Sequence, residues 1–244
     1  MSRTKALAPL IDTASAYYRG AGRFAWHWAR AKLGGDPAFA AILARGLLSG
    51  RSRILDLGCG QGLLAAWLLA ARACPASDAA RAWPHGWPPP PWLRQYTGVE
   101  INLREVERAR RAFALDPGAD VQIVHGDIRD VDYVTADAVV ILDVLHYLDY
   151  RAQERVLHRV RSALGPHGLL LLRVGDAGGG VRFAISKAVD HTVALMRHRR
   201  WMRLDCRPLR VWEQLLAGCG FRTRALPMSE GTPFVNFLLR AELA

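Results

Sequence analysis

Apolar and polar residues follow two patterns along this chain, short continuous apolar runs and longer segments with helical spacing. Mostly aliphatic runs of four to eight residues are typical of strands buried on both faces of a parallel sheet. Five strands are predicted, at residues 54–57, 96–100, 121–128, 137–143 and 169–174, and those at 54–57, 137–143 and 169–174 are the mostly aliphatic runs. Helices are predicted between them, for example after Leu63 and from Asn102, which forms a capping box with Glu105. This order predicts an α/β fold on a mainly parallel sheet.

The two ends of the chain add helices and two further strands. Residues 1–50 are predicted to form a helical N-terminal cap segment, and residues 51–244 the main domain. Asp36 and Pro37 have the N-cap and first-turn form of a helix that continues to Leu48. A glycine-rich joint after the fifth strand leads into a helix, followed by one more helix and two strands. These elements are predicted at residues 181–198, 208–219, 221–226 and 233–239.

Residues 74–93 form an insertion between the first core helix and the second strand. They include three tryptophans and four consecutive prolines. Consecutive prolines favour an extended polyproline conformation and exclude a helix or strand interior. The insertion is either a loop that docks a partner or a surface loop anchored by its tryptophans, and no function is assigned to it.

The net charge of +11 over 244 residues raises the question of a polyanionic partner. Arginines greatly outnumber lysines and are scattered along the chain, which points to codon composition as much as to function. The exception is the cluster Arg197–Arg203. This cluster could contact phosphate groups or acidic lipids, or it could be the solvated end of a helix.

Other bulk properties predict a cytoplasmic protein without a metal site. No run approaches the roughly 20 apolar residues of a membrane span, and the N-terminus lacks the apolar core of a signal peptide. The cysteines form no C-x-x-C pair and no metal-ligand cluster, so reduced thiols are expected. They are Cys59, Cys74, Cys206 and Cys219.

The most informative chemistry follows the first strand, where Gly58, Gly60 and Gly62 alternate with other residues. Glycines let the backbone take left-handed angles and approach a ligand closely, and the helix that follows presents its positive N-terminal end. A dinucleotide fingerprint requires its third glycine where this chain has Leu63, which disfavours a nicotinamide-dependent oxidoreductase. The loop therefore either binds another nucleotide-like cofactor or is only a tight strand-to-helix turn.

Asp56 precedes the first of these glycines by two residues and completes the pattern D-x-G-x-G-x-G. This pattern resembles motif I of the class I S-adenosylmethionine-dependent methyltransferases. Glu100, Asp127 and Asp143 end the next three predicted strands in the order of that family's further motifs. The resemblance implies a Rossmann-like seven-stranded sheet, mostly parallel with an antiparallel last strand and with helices on both faces. It also implies S-adenosylmethionine as the cofactor.

The resemblance implies roles for individual residues. In that family the glycine loop lies under the methionine end of the cofactor, the second strand ends in a carboxylate that binds the ribose hydroxyls, and a Gly-Asp-Ile sequence contacts the adenine. Cofactor binding is thereby implied for Asp56, Gly58, Cys59, Gly60, Gly62, Glu100, Ile101, Asp127, Ile128 and Asp143. Asp143 faces the transferring methyl group in this scheme and is predicted to position rather than to act as a base. Residues 181–203 would form a lid or acceptor helix on the glycine joint.

The N-terminal segment contributes two further candidates. In small-molecule methyltransferases a leading helical segment often closes over the cofactor, which makes Tyr17 and Arg23 cofactor or substrate candidates. Aromatic residues such as Phe24, Trp26 and Trp28 are explained equally well by packing of this helix on the domain.

The stretch Arg23–Pro37 looks like that of methyltransferases from bacterial aryl polyene pigment pathways. This resemblance implies a small-molecule, phenolic acceptor, either free or on an acidic carrier protein that the Arg197–Arg203 cluster would bind. A phenol has a pKa near 10 and benefits from a base. His146 and His191 are the candidate bases, although a histidine at position 146 could also simply cap the loop that follows.

Two other functions stay open. The basic surface would suit RNA or another nucleic acid as methyl acceptor, but Asp143 is not followed by the Pro-Pro-aromatic sequence typical of enzymes that methylate base amines. A methyltransferase-fold module without catalytic activity would keep the same glycine loop.

Overall fold

A computed structural model describes residues 3–74, 83–114, 116, 120–178, 204–229 and 235–243. The strands are β1 Arg53–Leu57, β2 Gln95–Glu100, β3 Val121–His125, β4 Ala136–Leu142, β5 Leu164–Gly175, β6 Phe221–Pro227 and β7 Asn236–Leu243. The helices are α1 Arg3–Ala16, α2 Arg23–Gly35, α3 Pro37–Ala44, α4 Leu63–Arg72, α5 Leu103–Phe113, α6 Tyr150–Ala163 and α7 Leu209–Gly218. A 3₁₀ turn spans Leu145–Tyr147.

The seven strands form one sheet in the order β3-β2-β1-β4-β5-β7-β6. β1 pairs with β2, β2 with β3, and β4 with β5, all in parallel. β7 lies between β5 and β6 and runs antiparallel to both. The predicted Rossmann-like methyltransferase sheet, with its antiparallel last strand, is therefore confirmed. The chain divides into two compact units, Met1–Asp127 and Ile128–Ala244.

The first unit is built around α4, whose apolar residues are all buried. Trp67 is fully buried and donates its indole N–H to the Phe39 carbonyl at 2.9 Å. This bond gives the buried indole N–H of Trp67 an acceptor and connects α4 to α3. α1 packs against both α2 and α4. The N-terminal cap segment is thus part of the core of this unit.

The second unit is organised by one buried side chain. Gln153 on α6 is fully buried and donates to the carbonyls of Leu145, Leu148 and Asp205, at 3.1, 3.0 and 2.7 Å. Arg207 donates to the Gln153 side-chain oxygen at 2.8 Å. The turn after β4 and the segment before α7 are therefore fastened to the same amide group.

The flanks of residues 179–203 lie close together in this unit. The Asp176 carboxylate accepts the Leu209 N–H at 3.0 Å, and the Ala177 N–H donates to the Arg207 carbonyl at 3.3 Å.

Four sequence predictions concern residues outside the described part of the chain. They are the helix at 181–198, the lid at 181–203, the Arg197–Arg203 cluster and His191.

Several element boundaries differ from the prediction: β3 ends at His125 and not at 128, β5 begins at Leu164 and not at 169, and the last strand ends at Leu243 and not at 239. The helix that starts at Pro37 ends at Ala44 and not at Leu48, because Gly46 takes a φ of +56°. The N–H groups of Gly46 and Leu47 donate back to Leu43 and Ile42, which closes the helix in a Schellman motif.

The start of α5 agrees only in part with the predicted capping box. The Asn102 side chain accepts the Arg104 N–H at 3.1 Å, as an N-cap does. The Asn102 N–H, however, donates to Glu100, while the Glu105 carboxylate pairs with Arg108. The reciprocal half of the capping box is thus replaced by a bond from the preceding strand end.

Candidate functional site

The loop between β1 and α4 takes an unusual backbone path. Gly58, Gly60 and Gly62 have φ values of +81°, +58° and +79°, in the left-handed region that side chains other than glycine's disfavour. The N–H groups of Gly58 and Cys59 donate to the Val99 carbonyl, at 2.8 and 3.1 Å. The alternation of glycines is thus required by the backbone, and β2 holds the loop in place.

The space around the glycines differs from one to the next. A Cβ on Gly62 would lie 2.8 Å from a ring carbon of Phe113, and one on Gly98 would lie 2.6 Å from the Cys59 sulfur. Gly62 and Gly98 are therefore needed for packing. A Cβ on Gly60 would meet nothing within 4 Å, so Gly60 borders open space beside the N-terminus of α4, where a ligand has room.

Glu100 connects the end of β2 to this loop. Its side chain is buried, and its two carboxylate oxygens accept the N–H groups of Gly60 at 3.0 Å and Asn102 at 2.8 Å. Each oxygen keeps a further lone pair, so the carboxylate can still accept two hydroxyl groups. The next residue, Ile101, is 52% exposed, an apolar surface that a flat apolar ligand would cover.

A buried carboxylate and phenol lie beneath the loop. Asp56 on β1 accepts a short hydrogen bond from the hydroxyl of Tyr96 on β2, and both residues are buried. Burial raises the pKa of Asp56 to about 7, the Tyr96 hydrogen bond opposes this rise, and nearby Glu100 adds to it. Tyr96 was not a sequence candidate, because nothing in the local pattern shows that it faces Asp56.

The N-terminal helices contact the loop through Gln61. The Tyr18 hydroxyl donates to the Gln61 carbonyl at 3.0 Å, and the Gln61 side-chain amide donates to the Ala25 carbonyl on α2, also at 3.0 Å. Gln61 is only 1% exposed. Tyr18 and Gln61, which the sequence analysis did not identify, thus connect the cap segment to the glycine loop. The only sequence signal was their position, next to Tyr17 and inside the glycine motif.

The two predicted N-terminal candidates lie on the cap segment of the first unit. Tyr17 donates to Asp116 at 2.9 Å and packs on Phe113, and burial together with Asp116 raises the pKa of its phenol. Tyr17 therefore stays neutral and cannot serve as a base. Arg23 is exposed at the start of α2. Their roles in binding stay predictions.

In the second unit, Asp143 follows β4 with a φ of +60°. Its carboxylate pairs with the guanidinium of Arg173 on β5 through two hydrogen bonds, the one to Nε measuring 2.7 Å. Arg173 is 4% exposed, whereas the Asp143 side chain is about one third exposed. The pair fixes Asp143 as an oriented acceptor. The sequence feature that could have pointed to Arg173 is its place as the one charged residue among the aliphatic residues 169–174.

His146 lies close to Asp143 in the chain, on the 3₁₀ turn Leu145–Tyr147. Its carbonyl accepts the Asp205 N–H at 2.9 Å, and its ring lies 4.2 Å from the ring of Tyr147. The turn is thus held from two sides, by Asp205 and by Gln153. His146 is half-buried as a residue, its ring Nε2 is itself buried, and its backbone is fixed, so the imidazole stays a candidate proton acceptor.

Two adenine-contact candidates lie on either side of the boundary between the units. Asp127 is half-buried and ends the first unit. Ile128 is buried and begins the second, where its carbonyl accepts the Tyr133 hydroxyl at 2.5 Å and Arg159 at 3.1 Å. Both stay predictions.

Two properties concern the described residues as a whole. No group of three or more His, Cys, Asp or Glu side chains in the described ranges is arranged to hold a metal ion. Among the helices that the structure describes, none has the length and apolar character needed to cross a membrane.

Comparisons with known proteins agree with this geometry. Residues 55–170 match the family model described as "Methyltransferase domain". The chain is 32% identical over 143 residues to the carboxy-S-adenosyl-L-methionine synthase of Chromohalobacter salexigens, covering 56% of this chain and 47% of that protein. The chain thus spans about half the length of this curated relative.

Solved structures share the fold at low sequence identity. An O-methyltransferase family protein from Burkholderia thailandensis superimposes with a TM-score of 0.62 at 17% identity, over 93% of this chain and 62% of that one. Magnesium protoporphyrin IX methyltransferase from Synechocystis PCC 6803, solved with bound SAH, gives a TM-score of 0.59 at 17% identity over the full length of both chains.

Proposed function

Since the chain belongs to the class I S-adenosylmethionine-dependent methyltransferases, we propose that it transfers a methyl group from S-adenosylmethionine to a phenolic hydroxyl of a small molecule. The observation that carries the cofactor part of this proposal is the loop at Gly60. It combines open space above a left-handed glycine with the Glu100 carboxylate, which accepts the Gly60 N–H and keeps lone pairs for ribose hydroxyls.

The described residues fit the cofactor chemically. The glycine loop and Asp56 would lie with its methionine end, Glu100 would accept the two ribose hydroxyls, and Ile101 would cover an apolar face. Asp127 and Ile128 would contact the adenine. The cofactor supplies a methyl group already activated by a sulfonium, so the protein has to orient the acceptor and exclude water.

Two residues of the second unit would act on the acceptor, one by taking up its proton and one by positioning it. A phenol with a pKa near 10 has to lose its proton as the methyl group is transferred. We assign the proton to His146, because its backbone is held by Asp205. Asp143, oriented by Arg173, would position the reacting groups. His191, a second candidate base, lies outside the described residues.

Cofactor binding is tested first by calorimetric titration of S-adenosylmethionine, S-adenosylhomocysteine and NAD, with an Asp127→Ala variant. Micromolar binding of the first two ligands, weakened in the variant, is the expected result. Binding of NAD alone would contradict the proposal. A His146→Gln variant should then keep cofactor affinity but lose turnover of phenolic acceptors at neutral to mildly alkaline pH, where a phenol is still protonated and a histidine is neutral enough to accept its proton.

Two similarities support a small-molecule phenol as the proposed acceptor. Structural neighbours include an O-methyltransferase family protein and an enzyme named for a small-molecule acceptor, and the Arg23–Pro37 stretch is similar to aryl polyene methyltransferases. If the phenol is held by an acidic carrier protein, the Arg197–Arg203 cluster would bind that carrier. Replacing its arginines by Glu would then weaken carrier-bound acceptors and leave free phenols unaffected.

A second candidate function is favoured by the relative at 32% identity, whose name describes synthesis of a carboxylated form of the cofactor. Mass spectrometry of the nucleoside that copurifies with the chain distinguishes the two. Unmodified S-adenosylmethionine or S-adenosylhomocysteine supports methyl transfer. A ligand heavier by one carboxyl group would favour the second candidate.

A further inference from the structure

Buried acidic groups are concentrated around the glycine loop of the first unit. Asp56, Glu100 and Glu105 are all less than one tenth exposed. The backbone N–H groups of Gly60 and Asn102 satisfy Glu100, and Arg108 pairs with Glu105 at 2.7 Å. The bond that Asp56 receives from a side chain comes from a neutral group, the Tyr96 hydroxyl. The other titratable groups around this pair are Tyr18, Cys59, Glu100 and Glu105.

We infer that Tyr96 is a positioning residue for the cofactor. Its hydrogen bond favours the ionised form of Asp56 beneath the glycine loop and thereby favours cationic S-adenosylmethionine over its neutral-sulfur product. This inference rests on the proposed function. Tyr96 lies outside the glycine motif, and its hydrogen bond would give the substrate form of the cofactor an advantage over the spent form.

The preference for S-adenosylmethionine over its product would be electrostatic. Methyl transfer converts a sulfonium into an uncharged thioether, so the cofactor loses one positive charge when it reacts. A buried carboxylate interacts with that charge through a medium of low dielectric constant, where the attraction is stronger than in water. The attraction requires that Asp56 be ionised. Burial opposes ionisation, and the hydrogen bond donated by Tyr96 favours it.

The sign of the pH dependence follows from the Asp56 pKa of about 7. Asp56 loses its proton as the pH rises through this value, so affinity for a cationic ligand should rise with pH. If only the ionised form binds, the Kd for S-adenosylmethionine at pH 6 should be about tenfold that at pH 8. Without the Tyr96 hydroxyl the Asp56 pKa would rise further, and the gain in affinity would move to higher pH.

The test is calorimetric titration of S-adenosylmethionine and S-adenosylhomocysteine between pH 6 and pH 8.5, on the full chain and three variants. Tyr96→Phe removes the proposed bond. Tyr18→Phe is the matched control, because Tyr18 is also fully buried but donates to a backbone carbonyl. Asp56→Asn cannot titrate, so it reveals the pH dependence that belongs to the ligand and to the rest of the chain.

We expect Tyr96→Phe to weaken S-adenosylmethionine binding severalfold at pH 7 and to approach the unmodified chain at pH 8.5. Tyr18→Phe should keep the original pH profile, and the difference between the unmodified chain and Asp56→Asn should be smaller for S-adenosylhomocysteine. An equal loss at every pH, or the same profile for both ligands, would overturn the inference. Failure of the unmodified chain to bind either ligand would instead contradict the proposed function.

Discussion

The glycine loop of the first unit and the end of β4 in the second unit place functional groups by different means. At the loop, the backbone itself makes the site, since Gly58, Gly60 and Gly62 all lie in the left-handed region and the N–H of Gly60 fixes Glu100. At Asp143 a side chain is oriented by another side chain, Arg173, which lies 30 residues further along the chain. Sites made by backbone conformation are visible in a sequence, and sites made by distant pairs are not.

A large loss of stability is expected when the distant pair of Asp143 and Arg173 is broken. Arg173→Met should lower the free energy of unfolding by about 3 kcal/mol, because Asp143 would keep a partly buried charge without its partner. Asp143→Asn combined with Arg173→Met should cost less than the sum of the two single changes. Denaturant unfolding of all four proteins measures this coupling. Additive losses would show that the two residues act independently.

The second prediction concerns the buried acid of the loop. The Asp56 pKa is raised to about 7 in the folded chain, against about 3.9 in an unfolded one. The stability that Asp56 contributes is therefore fully present below pH 3.9 and is lost as the pH rises towards 7. Asp56→Asn should be more stable than the unmodified chain at pH 8, by up to about 4 kcal/mol, with little difference near pH 4.

Thermal unfolding at the two pH values tests this prediction, with Asp120→Asn as an exposed control. An equal effect of Asp56→Asn at both pH values would mean that Asp56 does not titrate near neutral pH. The stability of the loop would then have no pH dependence that distinguishes it from the region around Asp143.

The two regions differ in how much of their structure the amino-acid sequence predicts. The approximate places of the strands, the glycine loop and the carboxylate at the end of β2 followed from local patterns, because alternating glycines and short apolar runs have direct backbone causes. The binding role of Glu100 came from the family resemblance and stays a prediction. Tyr96, Gln61 and Arg173 did not, since each acts on a residue at least 30 positions away or through an element whose placement is set by tertiary packing. The same limit explains the choice of Tyr17 over its neighbour Tyr18.

A smaller effect is expected at the contact between the cap segment and the loop. Tyr18→Phe removes the hydrogen bond to the Gln61 carbonyl and should cost about 1 kcal/mol of stability. Tyr17→Phe removes the hydrogen bond to Asp116 and should cost less, because Tyr17 is only half-buried. Urea unfolding compares the two. A larger loss for Tyr17→Phe would contradict the assignment of Tyr18 as the anchor.

The central claim, that the loop at Gly60 binds S-adenosylmethionine, is tested most directly by titrating this ligand into Gly60→Ala and Gly50→Ala. Both glycines have positive φ values, +58° and +74°, and a Cβ on either meets nothing within 4 Å. The two variants should therefore lose similar stability, about 1 kcal/mol. We predict that Gly60→Ala weakens binding at least tenfold and Gly50→Ala leaves it unchanged. Equal affinities in the two variants would contradict the claim.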